Sequence, residues 1–225
     1  MVSSFSNKRI SSGLAAGLFG LVIITLGGWW FSIALGVIVH LALLEFFRMA
    51  EFTGIKPATK TTLVACQILL LTTQLGLDSV VSDNLTAAIL PLSGAAICGW
   101  LLLQPITGSI SDIAASIFGL FYLGFLPSHW LKLRSLSNPE LINTFKYNPS
   151  FTLQDVNYGL FITLSACLMI VAFDIGSYLI GRRFGRNYLS PISPGKTIEG
   201  VIGGLISSIL IGVFFTEIFQ LNLSI

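Results

Sequence analysis

Asp174, Ser177, Tyr178, Gly181, Arg182 and Gly185 recur at spacings of three and four residues, so a helix through them presents them on one face. Asp174 interrupts an apolar run seven residues before Gly181, which places it roughly 10 Å along the helix from that glycine. An ionisable side chain at such depth in hydrocarbon is costly and marks a functional site by default. It needs a cation, a metal or a proton. Arg182, Arg183, Arg186 and Lys196 follow closely; Arg suits bidentate phosphate contacts and Lys acts as a point charge. A carboxylate beside such cations suits Mg2+, which prefers hard oxygen ligands and bridges carboxylate to phosphate. The stretch therefore reads as a place where a cytosolic phosphate compound meets a lipid. Two blander readings of Asp174 stand beside it: a packing pair with Arg182, or a carboxyl held protonated.

Ser193-Pro194 has the form of a helix start, with Ser at the N-cap and Pro at the first helical position. Such a helix would turn its free N–H groups toward an anion, with Gly195 allowing close approach and Lys196 adding charge. Gly195-Lys196-Thr197 ends like a P-loop, yet Ser190 stands where that pattern needs Gly, and a membrane helix precedes it rather than a buried strand. The P-loop reading fails. Glu199 is either a second metal ligand or an acid favoured in a helix's first turn. Gly200, Gly204 and Ser208 form a small-residue stripe suited to tight helix packing. Glu45 and Arg48 read as a local ion pair, Asp112 as a secondary site candidate, and Asp78 and Asp83 as solvated loop charges.

The elements that must hold these residues are membrane helices. The chain has 225 residues, 54% hydrophobic and 10% charged, with mean hydropathy +0.86. Soluble domains carry about 25% charged residues, so no aqueous fold could hide this apolar surface. A net charge of +2 with cations clustered at span ends argues against nucleic acid as a partner. A bilayer-crossing helix needs about 20 apolar residues. Candidate spans fall at 10–27, 29–47, 61–77, 85–103, 113–131, 159–181 and 198–219, an all-α polytopic bundle of about seven spans. Gly27-Gly28 separates the first two, and Trp29-Trp30 suit the interface. Lys8 and Arg9 precede an uncleaved first span, since no small-x-small cleavage site follows. With the N-terminus cytosolic, Lys8, Arg9, Arg48, Lys56, Lys60, Arg182, Arg183, Arg186 and Lys196 lie inside; Lys132, Arg134 and Lys146 lie outside. Segment 182–197 is then a cytosolic loop, and 132–157, with Asn138-Pro139 and Asn148-Pro149, a loop on the other side. Cys66, Cys98 and Cys167 lack metal-ligand spacing and read as small buried side chains. His40 and His129 are isolated.

At these residues the chain resembles phosphatidate cytidylyltransferases, or CDP-diacylglycerol synthases. That family pairs an Asp-x-x-Ala-Tyr helix, running into Gly-Arg-x-Phe-Gly, with a Ser-Pro-Lys-Lys-Thr-Trp-Glu-Gly loop. The matches are Asp174, Tyr178, Gly181, Arg182, Phe184, Gly185, Ser193, Pro194, Lys196, Thr197, Glu199 and Gly200. Weaker similarity covers Gly27-Gly28-Trp29-Trp30, Glu45-Phe46 and Gly119-Leu-Phe-Tyr-Leu-Gly124. Gly195, Ile198 and Ser177 depart from the pattern. The resemblance implies transfer of CMP from CTP to phosphatidate with Mg2+, in a multi-pass protein of the cell inner (plasma) membrane. It implies Asp174 and Lys196 as catalytic residues, Tyr178, Arg182, Ser193 and Thr197 as substrate-binding, and Asp174 with Glu199 as metal ligands. The family's further Lys-Asp and His-Gly-Gly…Asp-Arg-x-Asp motifs do not occur in this sequence. The expectation is one integral-membrane domain over 1–225, C-terminally truncated. A catalytically inactive protein acting through helix assembly is the competing reading, with a transporter using Asp174 as a coupling-ion site behind it. The small-residue stripes leave a homodimer open.

Overall fold

In the computed structural model the chain divides into two compact units, Met1–Leu136 and Ser137–Ile225. The structure describes residues 2–77, 82–105, 108–136, 158–190 and 193–219. Asp78, Lys146, Asn138-Pro139 and Asn148-Pro149 lie outside these, as do the side chains of Lys8, Arg9 and Asp83.

The first unit is helical throughout its regular elements: α1 (Val2–Leu26), α2 (Gly28–Phe52), α3 (Thr59–Leu77), α4 (Ser82–Leu102) and α5 (Ile110–Arg134). The expected break between the first two spans falls at Gly27, whose φ of +62° places it in the left-handed region that favours glycine. Its position is also crowded. The Arg134 guanidinium would lie 2.6 Å from any added Cβ. From there Arg134 Nε donates to the Ile24 carbonyl at 2.8 Å, satisfying an acceptor that the end of α1 would otherwise leave open.

A second staple joins the α2–α3 loop to the start of α5. Asp112 accepts the Lys56 N–H at 2.6 Å on one oxygen and the Ser109 N–H at 2.7 Å on the other. Ser109 caps α5 in return, accepting the Asp112 N–H. The Ala58 N–H donates to Ser116 Oγ at 2.9 Å. Asp112 thus has both oxygens engaged by backbone donors, which is the work of a fold residue. Asp112→Ala should leave those two N–H groups without their acceptor and lower the melting temperature in detergent by about 5 °C. Glu45 and Arg48 form no ion pair; both are exposed, where such a pair is worth little.

The core of this unit is apolar and fully shut: Leu43 and Phe47 from α2, Cys66 and Leu70 from α3, Ile97 from α4, Leu120 and Leu131 from α5. Within α5 the residues Gly119–Phe125 form a widened π-helical turn. Its two glycines are where neighbours come closest. A Cβ at Gly119 would meet the Phe47 ring at 2.9 Å, and one at Gly124 would collide with Cys66 Sγ. Cys98 and Cys167 are half-buried, so only Cys66 meets the expectation of a fully buried thiol.

Among the described residues, the second unit contains α6 (Tyr158–Phe184), a hairpin of β1 (Tyr188–Ser190) and β2 (Ser193–Thr197), and α7 (Ile198–Phe219). Each expected span coincides with a helix. Among the described residues, four helices are long and apolar enough to cross a membrane: Gly28–Phe52, Ile110–Arg134, Tyr158–Phe184 and Ile198–Phe215. Their outward faces carry side chains such as Leu41, Ile170, Leu179, Leu210 and Phe214, each more than half exposed or close to it. Hydrocarbon, not water, is the solvent that such faces need.

Two boundaries differ from expectation. The segment 132–157 is helical as far as Arg134, because Lys132 and Arg134 sit in the last turn of α5, where cations suit the carbonyl end. The segment 182–197 is not a loop. Helix α6 runs on to Phe184, and Tyr188–Ser190 pairs with Ser193–Thr197 as a hairpin.

Candidate active site

The α6–α7 pair is built by glycine. A Cβ at Gly200 would lie 2.8 Å from the Ser177 carbonyl, and one at Gly204 would lie 2.8 Å from the Phe173 carbonyl. At Gly203 it would strike the Ile180 side chain, and at Gly176 it would strike Ser207. The expected stripe of small residues is therefore present at Gly200 and Gly204, with Gly203 and Ser207 completing the contact. Backbones approach this closely only where side chains are absent. The seam runs beside the face of α6 that carries Asp174.

That face opens on a cavity of about 660 Å3, within the range of small-molecule sites. Asp174, Ser177, Tyr178, Gly181 and Arg182 line it from α6, as their spacing predicts. Lys196 and Thr197 line it from β2, and Phe173, Leu189 and Val201 add apolar wall. The cavity lining therefore offers one carboxylate and two cations. Arg182 Nη1 donates to Tyr178 Oη at 3.0 Å, and its guanidinium lies 6.0 Å from the centre of the Tyr178 ring. The tyrosine aims the arginine. Ser177 Oγ donates to the Asp174 carbonyl at 3.0 Å, leaving the Asp174 carboxylate to the cavity.

The helix start moves. Ser193-Pro194 does not open a helix; both belong to β2, where Ser193 pairs with Ser190 and Thr197 with Tyr188. Ser-Pro suits a strand edge as well as a helix entry, and Gly195 in a first turn would weaken the helix. Thr197 is the cap instead, its Oγ1 accepting the Gly200 N–H at 3.2 Å. The Ile198 N–H donates to the Asn187 carbonyl at 3.0 Å. Donors expected to face an anion are thus engaged within the chain, and charge on Lys196 and Arg182 is what remains for a phosphate.

Glu199 is turned away from the cavity lining. Its carboxylate accepts the Arg186 N–H at 3.2 Å, the Asn187 N–H at 3.3 Å and Asn187 Nδ2 at 2.8 Å. Of the residues expected to act together, the cavity assembles Asp174, Tyr178, Arg182, Lys196 and Thr197; it does not include Ser193 or Glu199. Among the described residues, no three His, Cys, Asp or Glu side chains converge. The donor set there is one carboxylate in a lining that also carries two cations. That fits Mg2+, which keeps waters and takes substrate phosphate oxygens beside one or two carboxylates.

A family model described as the cytidylyltransferase family matches residues 7–225. The chain belongs to the cytidylyltransferase family. Within that family it is similar to a phosphatidate cytidylyltransferase of Synechocystis sp., 40% identical over 213 residues, covering 92% of this chain and 71% of that protein. It is similar to phosphatidate cytidylyltransferase 5, chloroplastic, of Arabidopsis thaliana, 31% identical over 223 residues, covering 93% of this chain and 54% of the relative. A phosphatidate cytidylyltransferase of Bacillus subtilis is 23% identical over 216 residues, 95% of this chain and 72% of its own. The chain thus spans about half the length of the plant relative. No solved structure matches. For a cytidylyltransferase the mixed lining is apt, since a nucleotide triphosphate is anionic and its lipid acceptor amphipathic.

Sequence reasoning missed the apolar wall at Phe173, Leu189 and Val201, which no motif marks. It also missed Asn187, whose position just beyond the end of α6 was a turn signal. Arg182→Lys keeps the charge but loses the planar fork held by Tyr178. It should raise KM for CTP about tenfold with a smaller change in kcat, as read from initial rates.

Proposed function

We propose that this chain transfers CMP from CTP to phosphatidate in the membrane, giving CDP-diacylglycerol and pyrophosphate. The carrying observation is the cavity that joins Asp174, on a helix long and apolar enough to span a membrane, to Arg182 in that helix's last turn and to Lys196 on β2. A phosphate oxygen of phosphatidate attacks the α-phosphorus of CTP; the bond to the β-phosphate breaks and pyrophosphate leaves. Such chemistry rests mainly on positioning and charge neutralisation. Lys196 and Arg182 take up the charge of the triphosphate and of the departing pyrophosphate. Tyr178 holds Arg182 in place, and Thr197 fixes the start of α7 beside it. Asp174 would hold Mg2+, which supplies charge neutralisation at the phosphate oxygens when bound.

In this reading 1–225 works as one multi-pass domain of the cell inner (plasma) membrane, crossing seven times with a cytosolic N-terminus. Two contacts in the first unit support that topology. Arg134 meets the end of α1, and Asp112 meets the α2–α3 loop, and in each case both partners fall on the same side. Partners are CTP, phosphatidate and surrounding lipid, not nucleic acid, together with a second copy of the chain.

The test is direct. Protein in phosphatidate-containing vesicles, given CTP labelled at the α-phosphate and Mg2+, should release pyrophosphate and transfer label to lipid. Absence of labelled CDP-diacylglycerol from a well-folded preparation would overturn the activity.

A further inference from the structure

We infer that Glu199 and Asn187 form a clamp that sets the position of the β1–β2 hairpin, making Glu199 a positioning residue and not a metal ligand. The hairpin brings Lys196 and Thr197 to the cavity, yet it is only two short strands with an irregular register. A ladder that short has little stability of its own. Something must fix where it leaves α6 and where it enters α7. At that base Glu199 accepts the N–H groups of Arg186 and Asn187 and the side-chain amide of Asn187 at 2.8 Å. Asn187 closes the loop by accepting the Ile198 N–H on its carbonyl. The two ends of the hairpin are thereby tied across 12 residues of sequence by hydrogen bonds to one carboxylate, a stronger class than bonds between neutral groups.

Geometry also speaks against metal binding by Glu199. Both carboxylate oxygens already accept bonds from Asn187, and the residue is absent from the lining that includes Asp174. A metal there would have to displace the donors that hold the hairpin.

This inference rests on the cytidylyltransferase reading only for its kinetic arm. Glu199→Gln replaces one acceptor oxygen by a donor facing donors. Asn187→Asp sets two carboxylates against each other, and the double variant N187D/E199Q restores a donor–acceptor pair. In purified full-length protein, each single variant should speed hydrogen exchange of the hairpin amides about tenfold, leaving α2 and α5 unchanged. The same variants should raise KM for CTP about tenfold, with kcat less affected and the Mg2+ concentration for half-maximal rate unchanged. The double variant should recover both the protection and the KM lost in N187D.

Hairpin protection unchanged in E199Q, with a raised Mg2+ requirement, would overturn the clamp and make Glu199 a metal ligand. Failure of the double variant to improve on N187D would overturn it too. If the wild-type chain made no CDP-diacylglycerol, the activity would fall, while hydrogen exchange would still decide the clamp.

Discussion

Asp174→Asn is expected to lower CDP-diacylglycerol formation by about 10³-fold or more while leaving membrane insertion and melting temperature nearly unchanged. The substitution is close to isosteric, and Asp174 bonds to the fold through its backbone: its carbonyl accepts Ser177 Oγ at 3.0 Å. The carboxylate faces the cavity. Removing its charge therefore strips the site of the one anion that lines it among the described residues, without opening a gap in the α6–α7 seam. Helix α6 continues to Phe184, so Asp174 lies ten residues, or about 15 Å, from the helix end. A charge kept at that depth needs a purpose or a partner, and no ion pair with Arg182 is formed, since Arg182 turns to Tyr178. Normal turnover in the Asn variant would remove Asp174 from the chemistry. A collapse in melting temperature would make it a packing residue.

The second large effect is expected from Gly204→Val. A side chain there meets the Phe173 carbonyl at 2.8 Å and Ser177 Cβ at 3.0 Å, on either side of Asp174 along α6. Overpacking of this kind costs about 1–3 kcal/mol, and the helices can relieve it only by moving apart. Moving the Asp174 helix about 1 Å from Lys196 and Thr197 would cost on the order of 10²-fold in rate. The variant should thus lose activity out of proportion to its stability, as measured by comparing thermal melting with turnover in the same preparation. Gly195→Ala is the control for small-residue replacement, since nothing lies within 4 Å of a Cβ there; its melting temperature should stay close to that of the unaltered chain. Activity near normal in Gly204→Val would show that the seam does not set the site.

The membrane helices were legible because hydrocarbon solvent imposes long apolar runs, and the gap at Gly27 because a left-handed backbone needs glycine. The face of α6 was legible too, since helical periodicity is a local property that Asp174, Tyr178 and Arg182 carry in their spacing. What lay beyond reach were contacts whose partners are far apart or whose local signals are ambiguous. Ser193-Pro194 reads equally as a helix entry and a strand edge, and pairing with Tyr188–Ser190 decides it. Glu199 in a first helical turn reads as a dipole partner or a ligand; it does sit in the first turn of α7, where the amides of Arg186 and Asn187, brought back by the hairpin, engage it as well. Asp112 shows the same limit, because its partner Lys56 is 56 residues away.

Direct backbone contact along the α6–α7 seam has a consequence for how such a site can change over evolutionary time or in a directed-evolution library. At Gly200 and Gly204 no side chain separates the helices, so no graded series of substitutions exists by which their spacing could be tuned. Drift in ligand preference is then left to Phe173, Leu189 and Val201, whose side chains form the apolar wall. A library randomised at those positions should yield altered lipid acceptance among folded clones, whereas one randomised at the seam should yield few folded clones of any preference.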